Sequence, residues 1–210
     1  MKSNIMAAYD RVAGRYADQF GDELKHKPLD RALLDCFAEQ VRGRGTVADV
    51  GCGPGHVAAY LCQRGLPMIG IDLSETMVAH ARQAVPGVEF RTGDMLKLDV
   101  EEESWAGIVA FYSIVHLEPE EILIVAREFY RALRPGGQLL LSFHAGDERI
   151  RIRDWFGQAV DIEWVFFAPG FLEQQLQDAR LVVDASILRA PYASIEHPSR
   201  RAYLLAHRPA

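Results

Sequence analysis

Two rhythms alternate along this chain. Short runs that are apolar nearly throughout are Val47 to Val50, Pro67 to Asp72, Val88 to Arg91, Ala106 to Tyr112 and Gln138 to His144. Between them, apolar residues return every third or fourth position, the period of a helix with one buried face. Val57, Tyr60 and Leu61 form such a stripe, closed by Gly65. Met77, Val78, Ala81 and Val85 form another, opened by Ser74-Glu75 and ended by Pro86-Gly87. Ile122, Val125, Phe129 and Leu133 form a third behind Pro119-Glu-Glu121, with proline and acids in the first turn. Uninterrupted apolarity, clearest in Ala106 to Tyr112, predicts parallel strands covered on both faces. Strands alternating with helices predict a doubly wound α/β fold.

The flanks follow the same logic. Ile5, Tyr9, Val12, Tyr16 and Phe20 make one apolar-aromatic helical face. Pro28 opens a second helix with Leu29, Leu33, Phe37 and Val41, which Arg42-Gly-Arg-Gly45 stops. Residues 145–170 are less regular. Residues 148–156 are rich in charge, while Val160, Ile162, Trp164 and Phe166 alternate with polar neighbours, as in a strand or an extended cover. Pro169 opens a last helix with Leu172, Leu176 and Ala179 inside, and strands near 181–188 and 202–207 complete the chain.

Composition narrows the class. With 210 residues and 49% hydrophobic content, one α/β domain is the natural size. A net charge of −6 disfavours nucleic acid as the main partner. The N-terminal stretch lacks the apolar core of a signal peptide, and the longest apolar stretch, Trp105 to Leu117, is too short to span a bilayer. Cys36, Cys52 and Cys62 form no C-x-x-C and read as reduced, largely buried thiols. A soluble cytoplasmic protein is expected, monomer or homodimer, without membrane or metal.

The chemistry concentrates in Thr46-Val-Ala-Asp-Val-Gly-Cys-Gly-Pro-Gly55, a buried strand, a glycine turn and a helix start. Glycine permits left-handed backbone angles and lets a ligand touch the main chain. The helix N-terminus offers free N–H groups. Asp72 tips the second strand about twenty residues on, the spacing that suits a pair of ribose hydroxyls. Gly93-Asp94-Met95 follows the third strand, where a carboxylate can accept from an exocyclic amine. Leu133-Arg-Pro-Gly-Gly-Gln138 stops a helix and enters a strand.

In combination these motifs resemble class I S-adenosylmethionine-dependent methyltransferases, most nearly the small-molecule enzymes of bacteria. The resemblance runs from residue 4 to 210. It implies a Rossmann-like, seven-stranded, mostly parallel sheet with helices on both faces and an antiparallel last strand, as a single domain over 1–210. Its parts would be a helical lid (1–45), a cofactor core (46–144), an acceptor-side insertion (145–170), and a C-terminal helix and strands (171–210). The cofactor implied is S-adenosylmethionine, leaving as S-adenosylhomocysteine, held by Asp49, Gly51, Gly53, Gly55, Asp72, Leu73, Asp94, Met95 and Phe111. Tyr9-Asp-Arg-Val-Ala-Gly-Arg-Tyr-Ala17 resembles the helix that covers the cofactor, with Tyr9 and Tyr16 over the sulfonium, where cation–π attraction would act. The insertion, with Trp155, Phe156, Trp164, Phe166 and Phe167, would enclose the acceptor. Where the family often has Ala-Gly-Phe after the last helix, this chain has Ala179-Arg180-Leu181.

The implied reaction is in-line methyl transfer to an oxygen, nitrogen or carbon of a small molecule. The Asn/Asp-Pro-Pro-Tyr stretch of nucleobase and glutamine methyltransferases is absent, and Tyr112-Ser-Ile-Val-His116 stands there instead. His116 and His144, just past the fourth and fifth strands, are expected to face the methyl, as proton acceptor or orienting donor. Arg200 and Arg201 read as a solvated pair, with contact to an acidic acceptor as the alternative. Two other classes share part of the pattern. A nicotinamide dehydrogenase would prefer a glycine or alanine where His56 stands, and would leave Asp94 without a role. A non-catalytic cofactor-binding module on the same fold has no sequence feature against it.

Overall fold

The computed structural model describes residues 2–210; Met1, the first residue of the expected lid, lies outside the described residues. The elements are α1 (Lys2–Phe20), a 3-10 turn (Glu23–His26), α2 (Pro28–Val41), β1 (Val47–Val50), α3 (His56–Cys62), β2 (Met68–Asp72), α4 (Glu75–Ala84), β3 (Glu89–Thr92) and β4 (Trp105–Phe111). Then come α5 (Pro119–Ala132), β5 (Leu133–Ala145), β6 (Arg149–Trp155), β7 (Gln158–Val165), α6 (Pro169–Asp178), β8 (Val182–Arg189) and β9 (Arg200–His207).

Seven strands form one sheet in the order β3-β2-β1-β4-β5-β9-β8, with β6 and β7 apart as a hairpin. The first five pair in parallel, and β9 runs antiparallel between β5 and β8. The expected sheet is therefore present. β4 shows why its sequence is apolar throughout. Ile108 and Ala110 join a core with Phe129 of α5 and Leu172 of α6. Val109 and Phe111 join a second core with Phe37 of α2, Leu61 of α3 and Val78 of α4. The strand order reverses between β1 and β4, which opens a crevice at their carboxyl ends. Among the described residues no helix is long and apolar enough to cross a membrane.

Several expectations need correction. The alternation around Val160 and Ile162 is a strand, one of the two expected readings, but it pairs antiparallel with Arg149–Trp155, so the charged stretch before it is the other half of a hairpin. Phe156 and Gly157 both have positive φ, 55° and 72°, and close it as a two-residue turn. A small cluster of Ala8, Val160 and Ile162, with Ile5, Ile152 and Trp155 beside it, ties the hairpin to α1. Of the cysteines only Cys52 is buried, because Cys36 and Cys62 lie on outward faces of α2 and α3. Arg180 fills the position of the missing helix-ending glycine with a left-handed φ of 71°, while the Leu181 N–H closes the helix on the Leu176 carbonyl at 2.9 Å.

The arginine pair also departs from a solvated face. Adjacent strand residues point to opposite sides, so Arg200 is exposed while Arg201 is 3% exposed. Arg201 donates to the carbonyl and hydroxyl of Ser199. Nearby, Asp30 of α2 is fully buried. It accepts from Tyr203 at 2.7 Å, from Arg189 at 3.0 Å and from Tyr112 at 3.3 Å. Arg189 also forks onto Glu196 at 2.6 and 2.8 Å. Lys27 lies 2.7 Å from Glu23 and 3.4 Å from Glu196. This network fastens the segment between β8 and β9 onto α2.

Two stability effects follow. Asp30→Ala removes the acceptor shared by Arg189, Tyr112 and Tyr203, which keep Glu196 and one another as partners, so urea unfolding should show a loss of about 1–3 kcal/mol. Arg180→Gly relieves the left-handed backbone and should raise stability by about 1 kcal/mol in the same assay; a loss there would mean that the Arg180 side chain contributes more than its backbone costs.

Candidate cofactor and acceptor site

The crevice at the strand ends holds a pocket whose floor is the glycine turn. Gly51, Gly53 and Gly55 have φ of 75°, 51° and 86°, angles that L side chains rarely adopt. A Cβ on Gly51 would overlap Ser113, whereas one on Gly53 would meet only a Tyr16 ring atom at 3.9 Å. The main chain at Gly53 is thus open to a ligand. The pocket's wall comes from Ile71, Asp72, Leu73 and Ser74 at and just past the end of β2, and from Gly93, Asp94 and Met95 after β3. Phe111, Tyr112, Ser113 and His116 line it from the end of β4, and Ile5, Met6, Tyr9 and Tyr16 of α1 cover it.

Most of the sequence-derived site residues therefore meet in one place: Tyr9, Tyr16, Gly51, Gly53, Asp72, Leu73, Asp94, Met95, Phe111 and His116. Three do not line it. Gly55 starts α3, and a Cβ there would press on Ala81 and Phe90 at 3.0 Å, so its demand is internal packing. Asp49 lies beneath the turn in β1, 1% exposed. His144 points elsewhere: it stacks on Phe166 at 4.8 Å and its Nδ1 lies 2.8 Å from the Ser199 hydroxyl. The fifth strand ends near the crevice, but its last side chain belongs to a neighbouring cluster. Sequence reasoning missed Glu23, His56, Tyr112, Ser113 and Glu121 as pocket residues. The hint was positional for two of them, since Tyr112 and Ser113 directly follow a buried strand. Glu23 carries none, because it reaches the pocket only through the turn between α1 and α2.

The electrostatics are one-sided. Glu23, Asp72, Asp94 and Glu121 line the pocket, and among its described lining residues none is Lys or Arg. Burial raises the Asp72 carboxyl, against N–H donation from Ser74 at 2.9 Å and Gly53 at 2.8 Å. Burial raises Asp49 to about 7, with His56 pulling the other way, and its Oδ2 is buried without a hydrogen-bond partner. Burial would also raise Glu23, but His56, 3.1 Å away, and Lys27 outweigh it and hold Glu23 at about 2. A pocket lined by carboxylates, with the Ser113 hydroxyl unpartnered in its wall and the Asp49 oxygen unpartnered beneath it, favours a cationic ligand with donors.

His116 is constrained on both ring nitrogens. Its Nδ1 lies 2.7 Å from the Glu163 carbonyl, which can only accept, so Nδ1 carries the proton. The Nε2 lone pair then accepts from the Tyr9 hydroxyl at 2.9 Å. Burial lowers His116 to about 4, partly offset by the Glu163 carbonyl, so the ring is neutral at pH 7. Burial, then Asp72, pushes the Tyr9 phenol well up, so it keeps its proton.

Comparison with known proteins agrees with this geometry. Residues 47–137 match the model of a methyltransferase domain. A probable S-adenosylmethionine-dependent methyltransferase of Mycolicibacterium smegmatis is 35% identical over 106 residues, 50% of this chain and 40% of that protein. Malonyl-[acyl-carrier protein] O-methyltransferase of Enterobacter lignolyticus is 26% identical over 186 residues, 86% of this chain and 68% of that one. The chain thus spans well under half the length of the first relative and about two thirds of the second. A solved methyltransferase of Methanosarcina mazei superposes with a TM-score of 0.70 at 19% identity, covering 78% of this chain and 92% of its own. Residues 47–137 are thus similar to a methyltransferase domain, and that match, the relatives and the doubly wound sheet together support a class I S-adenosylmethionine-dependent methyltransferase.

Proposed function

We propose that the protein transfers the methyl group of S-adenosylmethionine to an oxygen, nitrogen or carbon of a small molecule. The observation that carries this reading is the charge of the pocket, four lining carboxylates and no Lys or Arg among its described residues, with the unpartnered Asp49 oxygen below. S-adenosylmethionine brings an ammonium and a methyl carried on positively charged sulfur, and that sulfur already makes a good leaving group. A dinucleotide would set its phosphate charges against these same carboxylates.

Each residue then has a physical task. Asp49, beneath the glycine turn and off the pocket lining, attracts the ammonium through its field and not by contact. Asp72, oriented by Gly53 and Ser74, accepts from the ribose hydroxyls with lone pairs left over. Asp94 and Met95 meet the adenine edge. Tyr9 and Tyr16, edge to face at 5.8 Å between centroids, cover the sulfonium and keep water out. Orientation of the acceptor in such a site supplies much of the rate, on the order of 7–11 kcal/mol at best.

Proton handling falls to Tyr9 and His116. Tyr9 spends its proton on His116 Nε2, so its oxygen lone pairs remain for the pocket. A proton leaving a hydroxyl acceptor reaches Tyr9 Oη as the Tyr9 proton moves to Nε2, and the Glu163 carbonyl holds the ring in the tautomer that allows it. An acceptor that needs no base would use the pair for orientation alone.

Calorimetry should show binding of S-adenosylhomocysteine and none of NAD; the reverse result overturns the reading. Asp72→Ala should weaken that binding by about 1.5–3 kcal/mol. Asp49 carries its raised value of about 7 in the free protein, and a nearby ammonium lowers it. Binding near neutral pH should therefore release a proton, and affinity should fall as pH drops below about 7, a limb absent in Asp49→Asn. Once an acceptor is identified, Tyr9→Phe and His116→Ala should each lower kcat by about 10²-fold with little change in cofactor affinity. The double variant should be no worse than either single one, because both break the same relay. Additive losses would assign the two residues separate roles.

A further inference from the structure

Between β8 and β9 the chain runs exposed through Ala193, Ser194 and Ile195 and then turns one acid inward. The Glu196 side chain is 1% exposed. Arg189 forks onto it, the Tyr192 N–H donates to it at 2.8 Å, and the Lys27 ammonium lies 3.4 Å away. Tyr192 in turn accepts from the Leu29 N–H at 3.1 Å, in the first turn of α2. Glu196 is therefore the buried anchor of an otherwise open segment, and a buried carboxylate depends on the cations around it.

Lys27 links this anchor to the cofactor pocket. It stands between the 3-10 turn and α2 and is buried. Its ammonium donates to Glu23 at 2.7 Å, and Glu23 lines the pocket. Both acids are ionised. Against burial, His56 and Lys27 hold Glu23 at about 2, and Arg189, the Tyr192 N–H, Lys27 and Arg201 hold Glu196 at about 2. One ammonium thus serves two carboxylates, and it sits nearer the one in the pocket. The flexible four-carbon stem of lysine lets the charge move between them while the backbone stays in place. A ligand cation beside Glu23 takes over part of the neutralisation that Lys27 supplies there. The balance then tips toward Glu196.

We propose that Lys27 is a positioning residue that couples the cofactor pocket to residues 190–199: a cation bound beside Glu23 shifts the Lys27 ammonium toward Glu196 and tightens that segment. By linkage, the hold of the segment on Lys27 sets how well the pocket receives a cation. The coupling rests on the methyl-transfer reading of the pocket, and it makes a surface away from the reacting methyl respond to the bound cofactor. A second path leads from Tyr112 in the pocket wall through Asp30 to Arg189, and the test separates the two.

Hydrogen exchange of the full chain is read over residues 190–199, with and without saturating S-adenosylmethionine. The ligand should slow exchange there about fivefold or more, the low end of ordinary coupling between sites. 5′-Methylthioadenosine has the adenosine but neither the amino-acid end nor the positive sulfur, and should leave the segment unchanged. Lys27→Met keeps the length and loses the charge, so it should bind S-adenosylmethionine without slowing the segment. The comparison of the two ligands needs no variant, so it decides the matter even where Lys27→Met does not fold. If S-adenosylmethionine binds and the segment exchanges as before, the coupling fails and the cofactor reading stands. Equal slowing by 5′-methylthioadenosine, or slowing that survives in Lys27→Met, moves the effect to the Tyr112 path and also overturns the role of Lys27. If S-adenosylmethionine does not bind the wild-type chain, both readings fail together.

Discussion

The structure turns on two carboxyl groups held at the ends of parallel strands. Asp49 and Asp72 sit where β1 and β2 finish, one beneath the glycine turn and one beside it. Burying a carboxylate costs several kcal/mol unless it is paired or neutralised. Asp72 is partly compensated by two backbone donors, and Asp49 responds by holding its proton up to about pH 7. The three left-handed glycines permit this arrangement, since any side chain at Gly51 would collide with Ser113. A cationic cofactor completes the balance. In these terms the crevice is a site whose polar groups are set in advance and incompletely satisfied, which is what binding then exploits.

A second balance lies on the other side of Tyr112. Lys27, Arg189 and Arg201 face Glu23, Asp30 and Glu196 across α2, the end of β8 and β9. Replacing such a network by apolar groups is often neutral or stabilising, so its presence points to a task beyond holding the fold. Here it fixes the Tyr112 ring between two cations and pins the segment carrying His197. Tyr112 itself has a φ of 52°, an uncommon angle for a tyrosine, which its hydrogen bonds to Asp30 and Tyr203 hold in place. The same residue is thus a wall of the cofactor pocket and a member of this network.

Much of this was legible in the sequence, and the reasons are specific. Val47 to Val50 and Ala106 to Phe111 read as strands because both their faces are buried, leaving no polar alternation to confuse the period. Asp72 and Asp94 were found because strand ends in this topology converge. The hairpin was missed although Arg149-Ile-Arg-Ile-Arg153 alternates cleanly; charge masked a period-two pattern, and Phe156 is an unusual residue for a left-handed turn. Asp30 was illegible because a single acid among helical leucines looks solvated, and its partners lie far away in sequence. His144 misled for a related reason: strand position gave its location but not which of two adjoining clusters its ring would join.

The first helix and the β6–β7 hairpin are mechanically one piece. Ala8 of α1 packs with Val160 and Ile162 of β7, and Tyr9 contacts Trp155 of β6 at 5.1 Å between centroids. Tyr9 also reaches His116, whose other nitrogen is tied to Glu163 of β7. Any displacement of α1 that admits the cofactor must therefore shift the hairpin or break these contacts. Because the satellite core is small, its opening costs far less than disturbing either main core. Movement of Tyr9 and Tyr16 is then coupled through shared ring contacts to Trp155 and, through it, to Trp164.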